Sequence, residues 1–180
     1  MKFSDGYWLL RPGVTALRPR DIDAVERDGR ELLVYAPTSP IQERGDTLNR
    51  PLLTVRVTSP LPDVIGVRIS HHVGAVDRGP HFPLARTDHP VEIDVPERPG
   101  KGDATFTAGR LTARIATGGA WGVAFEADGR VLTSSMERSV AALDTPEGSF
   151  VREQLTLGVT ETLYGLGERF GTFARNGQSI

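Results

Sequence analysis

The sequence contains no cysteine. This absence excludes a disulfide scaffold, a thiol nucleophile and any metal site that needs a cysteine ligand. Lysine is nearly absent as well, because Lys2 and Lys101 are the only lysines among 21 basic residues. The arginines are spread among 23 acidic residues, and the net charge is −2. With no run of one sign, the charge pattern does not favour a nucleic-acid partner.

Long hydrophobic runs are also missing. No stretch approaches the ~18 apolar residues that a membrane span needs, and Met1–Gly6 lacks the long apolar core of a signal peptide. We therefore expect a cytoplasmic protein with no membrane partner. The length of 180 residues suits one domain with its own hydrophobic core.

Short segments of alternating apolar and polar residues fill most of the chain. In Leu52–Ser59, for example, Leu53, Val55 and Val57 fall on one face of a predicted strand. Further strands are predicted at Ile22–Arg27, Glu31–Ala36, Val64–Ser70, Val91–Val95, Ala104–Ala108, Leu111–Ala116, Gly122–Ala127, Arg130–Ser134, Val151–Leu157 and Thr160–Tyr164. Many short strands of this kind predict an all-β fold, an antiparallel β-sandwich.

Glycine and proline mark the turns between these strands. Two-residue hairpin turns are predicted at Asp28-Gly29, Gly109-Arg110 and Asp128-Gly129. Pro96–Gly102 is predicted as a long loop between strands. The one segment with any helical character is Met136–Leu143, which favours a short helical turn.

The four histidines do not form a metal-binding pattern. His71 and His72 are adjacent, so on a strand their side chains would point to opposite faces, and His81 lies in a proline-rich loop. We expect structural or solvent roles for them, and no metal or other cofactor. An aldose-epimerase-like site could use one of these three as its acid, but no pattern of carboxylate partners accompanies them.

Asp21 and Asp23 stand two residues apart and would share one face of a strand. Paired carboxylates can serve glycoside hydrolysis when they flank a sugar. Arg18, Arg20 and Arg27 lie close by in the sequence, and solvated ion pairs are therefore the simpler interpretation. We predict no catalytic residue in this chain.

The stretch after position 163 is rich in glycine, aromatic residues and arginine. It does not match the phosphate-binding pattern G-x-G-x-x-G, because Phe170 takes the place of the third glycine and no β-α-β context follows. We predict a substrate-proximal or interface motif that consists of Gly165, Gly167, Glu168, Arg169 and Phe170. Glu168 and Arg169 would hold a polar network or a sugar, or else form an ion pair.

Three groups of segments follow one another along the chain: Ser4-Asp-Gly-Tyr-Trp8 with Pro12-Gly13, then Gly66-Val-Arg-Ile69 with Gly79-Pro-His-Phe-Pro83, then Leu157-Gly158, Glu161-Thr162 and Tyr164-Gly-Leu-Gly-Glu-Arg-Phe170 with Arg175-Asn-Gly-Gln178. In this order they resemble the N-terminal domain of bacterial α-xylosidases in glycoside hydrolase family 31. The Tyr-Gly-Leu-Gly-Glu block is typical of the wider family, and the first two groups point to the α-xylosidase branch.

This resemblance implies a galactose-mutarotase-like β-sandwich over residues 1–180 that precedes a (β/α)₈ barrel. Residues 165–180 would then begin the connection toward the barrel. Family members are retaining enzymes whose nucleophile and general acid/base are two Asp residues in the barrel, and neither has a counterpart here.

The resemblance therefore implies a non-catalytic N-terminal domain, a fragment of a longer enzyme. The domain would pack on the barrel, shape the active-site mouth, and carry subunit contacts if the enzyme is a homo-oligomer. Its carbohydrate partner, an α-xyloside, would bind in the context of the full enzyme. We then expect the isolated chain to expose an apolar patch around Leu163–Phe173.

A freestanding carbohydrate-binding module is the alternative. In that case exposed aromatic side chains such as Trp121 or Phe82 would form the platform on which a sugar stacks.

Overall fold

A computed structural model describes residues 4–5, 9–48, 50–71, 85–168 and 170–178. These residues form β-strands and one short 3₁₀ turn, Arg44–Thr47, and no α-helix occurs among them. None of the described segments is a helix long and apolar enough to cross a bilayer. In chain order, the strands are β1 (Ser4–Asp5), β2 (Leu9–Leu10), β3 (Thr15–Leu17), β4 (Ala24–Asp28), β5 (Glu31–Pro37), β6 (Leu52–Thr58), β7 (Gly66–Ser70), β8 (Val91–Asp94), β9 (Ala104–Ala108), β10 (Leu111–Ile115), β11 (Val123–Ala127), β12 (Arg130–Ser135), β13 (Ala141–Thr145) and β14 (Gly148–Arg152).

All strand pairs are antiparallel. One sheet has the order β4-β5-β6-β7 and a second has the order β12-β11-β10-β9-β8. A three-stranded sheet, β14-β13-β3, and the short pair β1-β2 complete the described topology. The prediction of an all-β antiparallel sandwich is confirmed.

The two large sheets pack their apolar faces on each other. On β6, Leu53, Val55 and Val57 are buried and alternate with partly exposed polar residues, as the period of two requires. On β9 of the other sheet, the fully buried Phe106 fills the space between them. Side chains of both sheets and Val140 form one core cluster, and its burial is what stabilises the sandwich.

Short hairpins connect most strands of the large sheets. Asp128 and Gly129 form a two-residue turn with φ values of 50° and 75°, and these positive angles are typical of the type I′ turn that Asp-Gly favours. Gly109-Arg110 joins β9 to β10 as predicted. In the first hairpin the turn is shifted by one residue, because Asp28 still pairs with Glu31 and the loop is Gly29-Arg30.

Three predictions along the second half of the chain are wrong in whole or in part. Met136–Leu143 is not helical: the Ser139 amide donates to the Met136 carbonyl (2.8 Å) in a turn, and β13 follows. The alternation at Thr160–Tyr164 does not form a strand, and of Val151–Leu157 only the first two residues belong to β14. Thr160–Tyr164 pairs with no strand among the described residues, and beyond Arg152 the described chain bonds to the backbone of β12 only around Thr156. A continuous ladder of pairs decides whether an alternating pattern becomes a strand.

Asp63 links the loop between β6 and β7 to the hairpin of the opposite sheet. Its Oδ1 atom accepts a hydrogen bond from the Arg110 amide (2.6 Å), and this bond lowers the pKa of the carboxyl group. Gly109 lies beneath this contact with φ +62°, and a Cβ there would overlap the Asp63 carboxylate and lie 3.1 Å from the Asp63 backbone nitrogen. The absence of a side chain at position 109 therefore allows the two sheets to be joined at this end.

Gly109→Ala should destabilise the fold more than Gly129→Ala does. Both positions have a positive φ, which costs about 1–2 kcal/mol for a residue with a Cβ, but an added Cβ at Gly129 meets nothing within 4 Å. The overlap with Asp63 should add about 1 kcal/mol or more. Thermal or urea unfolding of the two variants measures the difference, and equal losses would show that Asp63 moves aside without cost.

Candidate functional site

The segment after β14 carries the predicted motif and lies on the surface. Every described residue from position 155 to position 174 is exposed. Asn176 nevertheless closes it into a loop: its Oδ1 accepts from the Leu163 amide (2.8 Å) and its Nδ2 donates to the Glu161 carbonyl (2.9 Å). The Arg175 amide adds a bond to the Leu163 carbonyl (2.8 Å). The loop is therefore held by its own polar groups.

Three successive residues at the tip of this loop have left-handed backbone angles. The φ values are 97° for Gly165, 68° for Leu166 and 81° for Gly167. Glycine adopts such angles without steric cost, which explains the two glycines of the predicted motif. Leucine does so only where its surroundings hold it.

The described residues of the motif lie exposed on the surface. Glu168 and Phe170 are exposed, and Arg169 lies outside the described residues. An ion pair between Glu168 and Arg169 therefore stays untested. The role of these residues as a substrate-proximal or interface motif remains a prediction.

Apolar side chains dominate the exposed surface of the same loop. The rings of Tyr164 and Phe173 contact each other with centroids 5.1 Å apart, yet they remain 59% and 80% exposed. Leu163, Leu166 and Phe170 are exposed beside them in the sequence. The expected exposure of apolar side chains around Leu163–Phe173 is thus confirmed, and a role for this patch as an interaction site stays a prediction.

The histidines do not converge on a site. His89 is buried, with Nε2 2.8 Å from the Ser59 hydroxyl and Nδ1 2.9 Å from the Thr87 carbonyl, which is a structural role. His71 is exposed at the end of β7, whereas His72 and His81 lie outside the described residues. Across the described ranges, no group of three His, Asp or Glu side chains is placed to hold a metal ion.

The two aspartates precede β4 and do not lie on it. Asp21 Oδ1 accepts from the Ile22 amide (2.8 Å), and Asp23 forms an ion pair with Arg50 (2.7 Å). The interpretation of Asp23 as an ion-pair partner is confirmed, although its partner is Arg50 and not one of the arginines close in sequence. The prediction that Asp21 and Asp23 lie on a strand is wrong, because β4 begins at Ala24.

Trp121 is not a platform for sugar. Its side chain is 3% exposed, and its Nε1 donates to the Ser135 hydroxyl (3.0 Å). The carbohydrate-binding alternative needs an exposed Trp121, and this requirement is not met, because burial of the large ring in the core is more favourable than its exposure to water. Phe82, the other aromatic residue considered for stacking, lies outside the described residues.

An apolar cleft of about 370 Å³ opens between the two large sheets. It lies beside β7 and β12, which are edge strands of the described sheets. Three apolar side chains at its rim, Val67, Leu132 and Leu155, are 43–54% exposed. The lining residues are Val55, Val57, Ile65, Val67, Ile69, Leu111, Ala113, Ile115, Trp121, Val123, Phe125, Leu132, Thr133, Ser135, Glu153 and Leu155. The hydrophobic core thus remains open on this side.

Glu153 is the one charged residue among these lining residues. Although the residue as a whole is exposed, desolvation in the cleft raises the pKa of its carboxyl group, and the opposing effects of the Ser135 hydroxyl and of Arg152 are smaller. The Ser135 hydroxyl thus lies between Trp121 and Glu153. Beside them, Thr156 ties the segment after β14 to β12, because its amide donates to the Ser134 carbonyl (2.9 Å).

Reasoning from the sequence missed this cleft and Glu153. The strand at Val64–Ser70 was predicted from its alternation, but alternation does not reveal whether another strand covers its apolar face. Glu153 was assigned to a strand, and no sequence signal placed its carboxylate beside apolar side chains.

A family profile and two curated relatives point to the same group of proteins. Residues 54–180 match the profile of the glycosyl hydrolase 31 N-terminal galactose mutarotase-like domain. The chain is 34% identical over 183 residues to the alpha-xylosidase XylQ of Lactiplantibacillus pentosus, and the match covers 100% of this chain but 23% of XylQ. It is 37% identical over 203 residues to an alpha-xylosidase of Emericella nidulans, covering 100% of this chain and 25% of that protein. The chain thus spans about a quarter of the length of these curated relatives.

Glu153→Gln should stabilise the fold at neutral pH. A carboxyl group whose pKa is raised in the folded state binds its proton more tightly there than in the unfolded chain, so stability falls as the pH rises from about 4.3 through the folded pKa. The neutral amide removes this loss and still accepts a hydrogen bond from Ser135. We expect the melting temperature of the variant to exceed that of the parent at about pH 7–8, and the difference to shrink near pH 4.

Glu92→Gln, on the exposed side of β8, is the matched control for the loss of one negative charge. The account fails for Glu153 if both variants shift the melting temperature equally, or if the effect of Glu153→Gln does not depend on pH.

Proposed function

The chain belongs to the family of glycosyl hydrolase 31 N-terminal galactose mutarotase-like domains, and from this premise we propose that it is the non-catalytic N-terminal domain of a longer, retaining α-xylosidase-like hydrolase. In this proposal the domain packs on a catalytic (β/α)₈ barrel and shapes the mouth of its active site. The carbohydrate, an α-xyloside, binds in the whole enzyme and not to the isolated domain.

The extent of the matches supports a part in a larger enzyme. The two relatives are alpha-xylosidases, and this chain corresponds to 23% and 25% of their lengths. Retaining hydrolysis needs two carboxyl groups about 5–5.5 Å apart on either side of the glycosidic bond. The two aspartates considered for such a pair, Asp21 and Asp23, are engaged with a neighbouring amide and with Arg50.

The observation that carries the packing proposal is the exposed apolar patch at Leu163–Phe173. Phe170 is fully exposed and Phe173 is 80% exposed, and such side chains cost free energy in water at about 25 cal/mol per Å². A second apolar surface, the open cleft, lies beside the segment that leads to this patch. Packing against another domain would remove both apolar surfaces from water and so lower their free energy.

The loop at Gly165–Phe170 is the part of the domain that we place at the active-site mouth. Its left-handed tip at Gly165 and Gly167 holds Glu168 and Phe170 out from the sandwich. A rigid loop with one carboxylate and one aromatic ring is suited to line the entrance of a sugar-binding site.

The isolated chain should not hydrolyse a chromogenic α-xyloside. We expect release of the chromophore at the rate of buffer alone for the 180-residue chain, and hydrolysis by the full-length gene product. Turnover by the 180-residue chain itself would contradict the assignment as non-catalytic.

The isolated chain should also bind a fluorescent probe of exposed apolar surface, and Phe170→Ser should weaken that binding. Removal of an aromatic ring from the patch leaves less apolar surface for the dye. Leu48→Ser is the matched control, since Leu48 is 74% exposed but lies beside the 3₁₀ turn. Equal fluorescence changes in both variants would argue against a distinct patch.

A further inference from the structure

A polar groove of about 600 Å³ lies on the other face of the four-stranded sheet, where β6 and β7 meet the segment 86–88. Its charged lining residues are Arg30, Glu31, Arg68, Arg86 and Asp88, with the hydroxyl residues Thr58, Ser59 and Thr87 among the rest. Val67 lines both this groove and the apolar cleft, whereas the charged and hydroxyl residues of the groove belong to neither surface that supports the proposed function.

The wall formed by residues 86–89 is fixed in place. The Thr87 amide donates to the Pro60 carbonyl (3.0 Å), and the buried His89 contacts Ser59 (2.8 Å). The guanidinium group of Arg30 donates to Asp88 (2.6 Å) and to the His89 carbonyl. Arg86 therefore lies on a segment that backbone and side-chain hydrogen bonds hold against the four-stranded sheet.

The acidic groups of the groove are already used. Asp88 forms an ion pair with Arg30, and Glu31 forms an ion pair with Arg56, a residue of β6 that does not line the groove. Within the described part of the chain, neither Arg68 nor Arg86 has an acidic partner. Two guanidinium groups thus line the groove without an ion-pair partner among the residues that the structure describes.

The strand register adds a second indication. Arg68 on β7 is directly opposite Arg56 on β6, and like charges in directly opposite positions of an antiparallel pair are destabilising. Glu31 neutralises only Arg56. The repulsion between Arg56 and Arg68 therefore destabilises the sheet, and an anion bound in the groove would reduce this repulsion.

We propose that this groove binds an oxyanion, namely a carboxylate, sulfate or phosphate group, between the guanidinium groups of Arg68 and Arg86. Arginine presents a planar set of N–H donors that matches two oxygens of such a group. The hydroxyl groups of Thr58, Ser59 and Thr87 supply further donors along the groove. The oxyanion is either a free inorganic ion or the acidic group of a sugar.

Titration of the 180-residue chain at constant ionic strength tests this proposal. Inorganic phosphate, sulfate and glucuronate are added separately and followed by amide chemical shifts, with uncharged glucose as the reference for a sugar without a carboxylate. We expect saturable shifts at residues 66–68 and 86–88 with at least one of the three anions and none with glucose. Preference for glucuronate over phosphate and sulfate would identify a sugar acid as the source, and the opposite order a free ion.

Arg68→Gln and Arg86→Gln should each weaken this binding by about tenfold or more, because each removes charged hydrogen-bond donors. Arg130→Gln, an exposed arginine on β12 outside the groove, should leave it unchanged. Absence of saturable shifts with all three anions overturns the proposal. Equal weakening by all three variants also overturns it, because binding would then follow net charge alone.

Thermal unfolding gives an independent readout that also reveals a folding defect. Arg68→Gln should raise the melting temperature in anion-free buffer, because it removes the repulsion from Arg56, and it should abolish the increase that the bound anion causes in the parent chain. A variant that is less stable without anion, or that is stabilised by anion as much as the parent, contradicts the proposal.

Discussion

Burial of apolar side chains between two antiparallel sheets is the interaction on which the rest of the structure depends. Phe106 and the inward residues of β5, β6, β9 and β10 lose nearly all contact with water, and no disulfide adds to their effect. The burial is not complete, however. Beside β7 and β12 the sheets separate around an open cleft, and Glu153 stands among its apolar lining. The cleft and the exposed patch at Leu163–Phe173 are two places where apolar side chains of this sandwich stay in contact with water.

Local sequence patterns predicted most strands of the two large sheets well. Alternation identified β5, β6 and β8 to β12 within one or two residues, because each of these strands has a buried face that only one period satisfies. The Asp-Gly turn at position 128 was predicted correctly from its need for positive φ angles. In contrast, Thr160–Tyr164 alternates but has no partner strand, and β13 begins inside the segment that was expected to form a helical turn. Partners far away in sequence decide these cases, and a local pattern carries no information about them.

The candidate functional features divide in the same way. Gly165 and Gly167 were recognised as residues of a tight loop, and their left-handed angles give the physical reason. The sequence left open whether Trp121 is buried or exposed, because composition and neighbouring residues do not show which aromatic ring packs between the sheets. The polar groove was not predicted either, since Arg68 and Arg86 come to line one groove only through the packing of segment 86–88 on the sheet. The resemblance to family 31 supplied what the local patterns could not, namely that the chain corresponds to part of a larger enzyme.

The central claim is that the open side of the sandwich and the exposed loop are covered by another part of a longer enzyme. Amide hydrogen exchange tests this claim most directly, with the 180-residue chain compared with the full-length gene product under identical conditions. The account predicts that amides in β7, in β12 and between residues 155 and 178 exchange at least about tenfold more slowly in the full-length protein, while those in β5 and β9 are unchanged. Equal exchange rates in these three regions would contradict it.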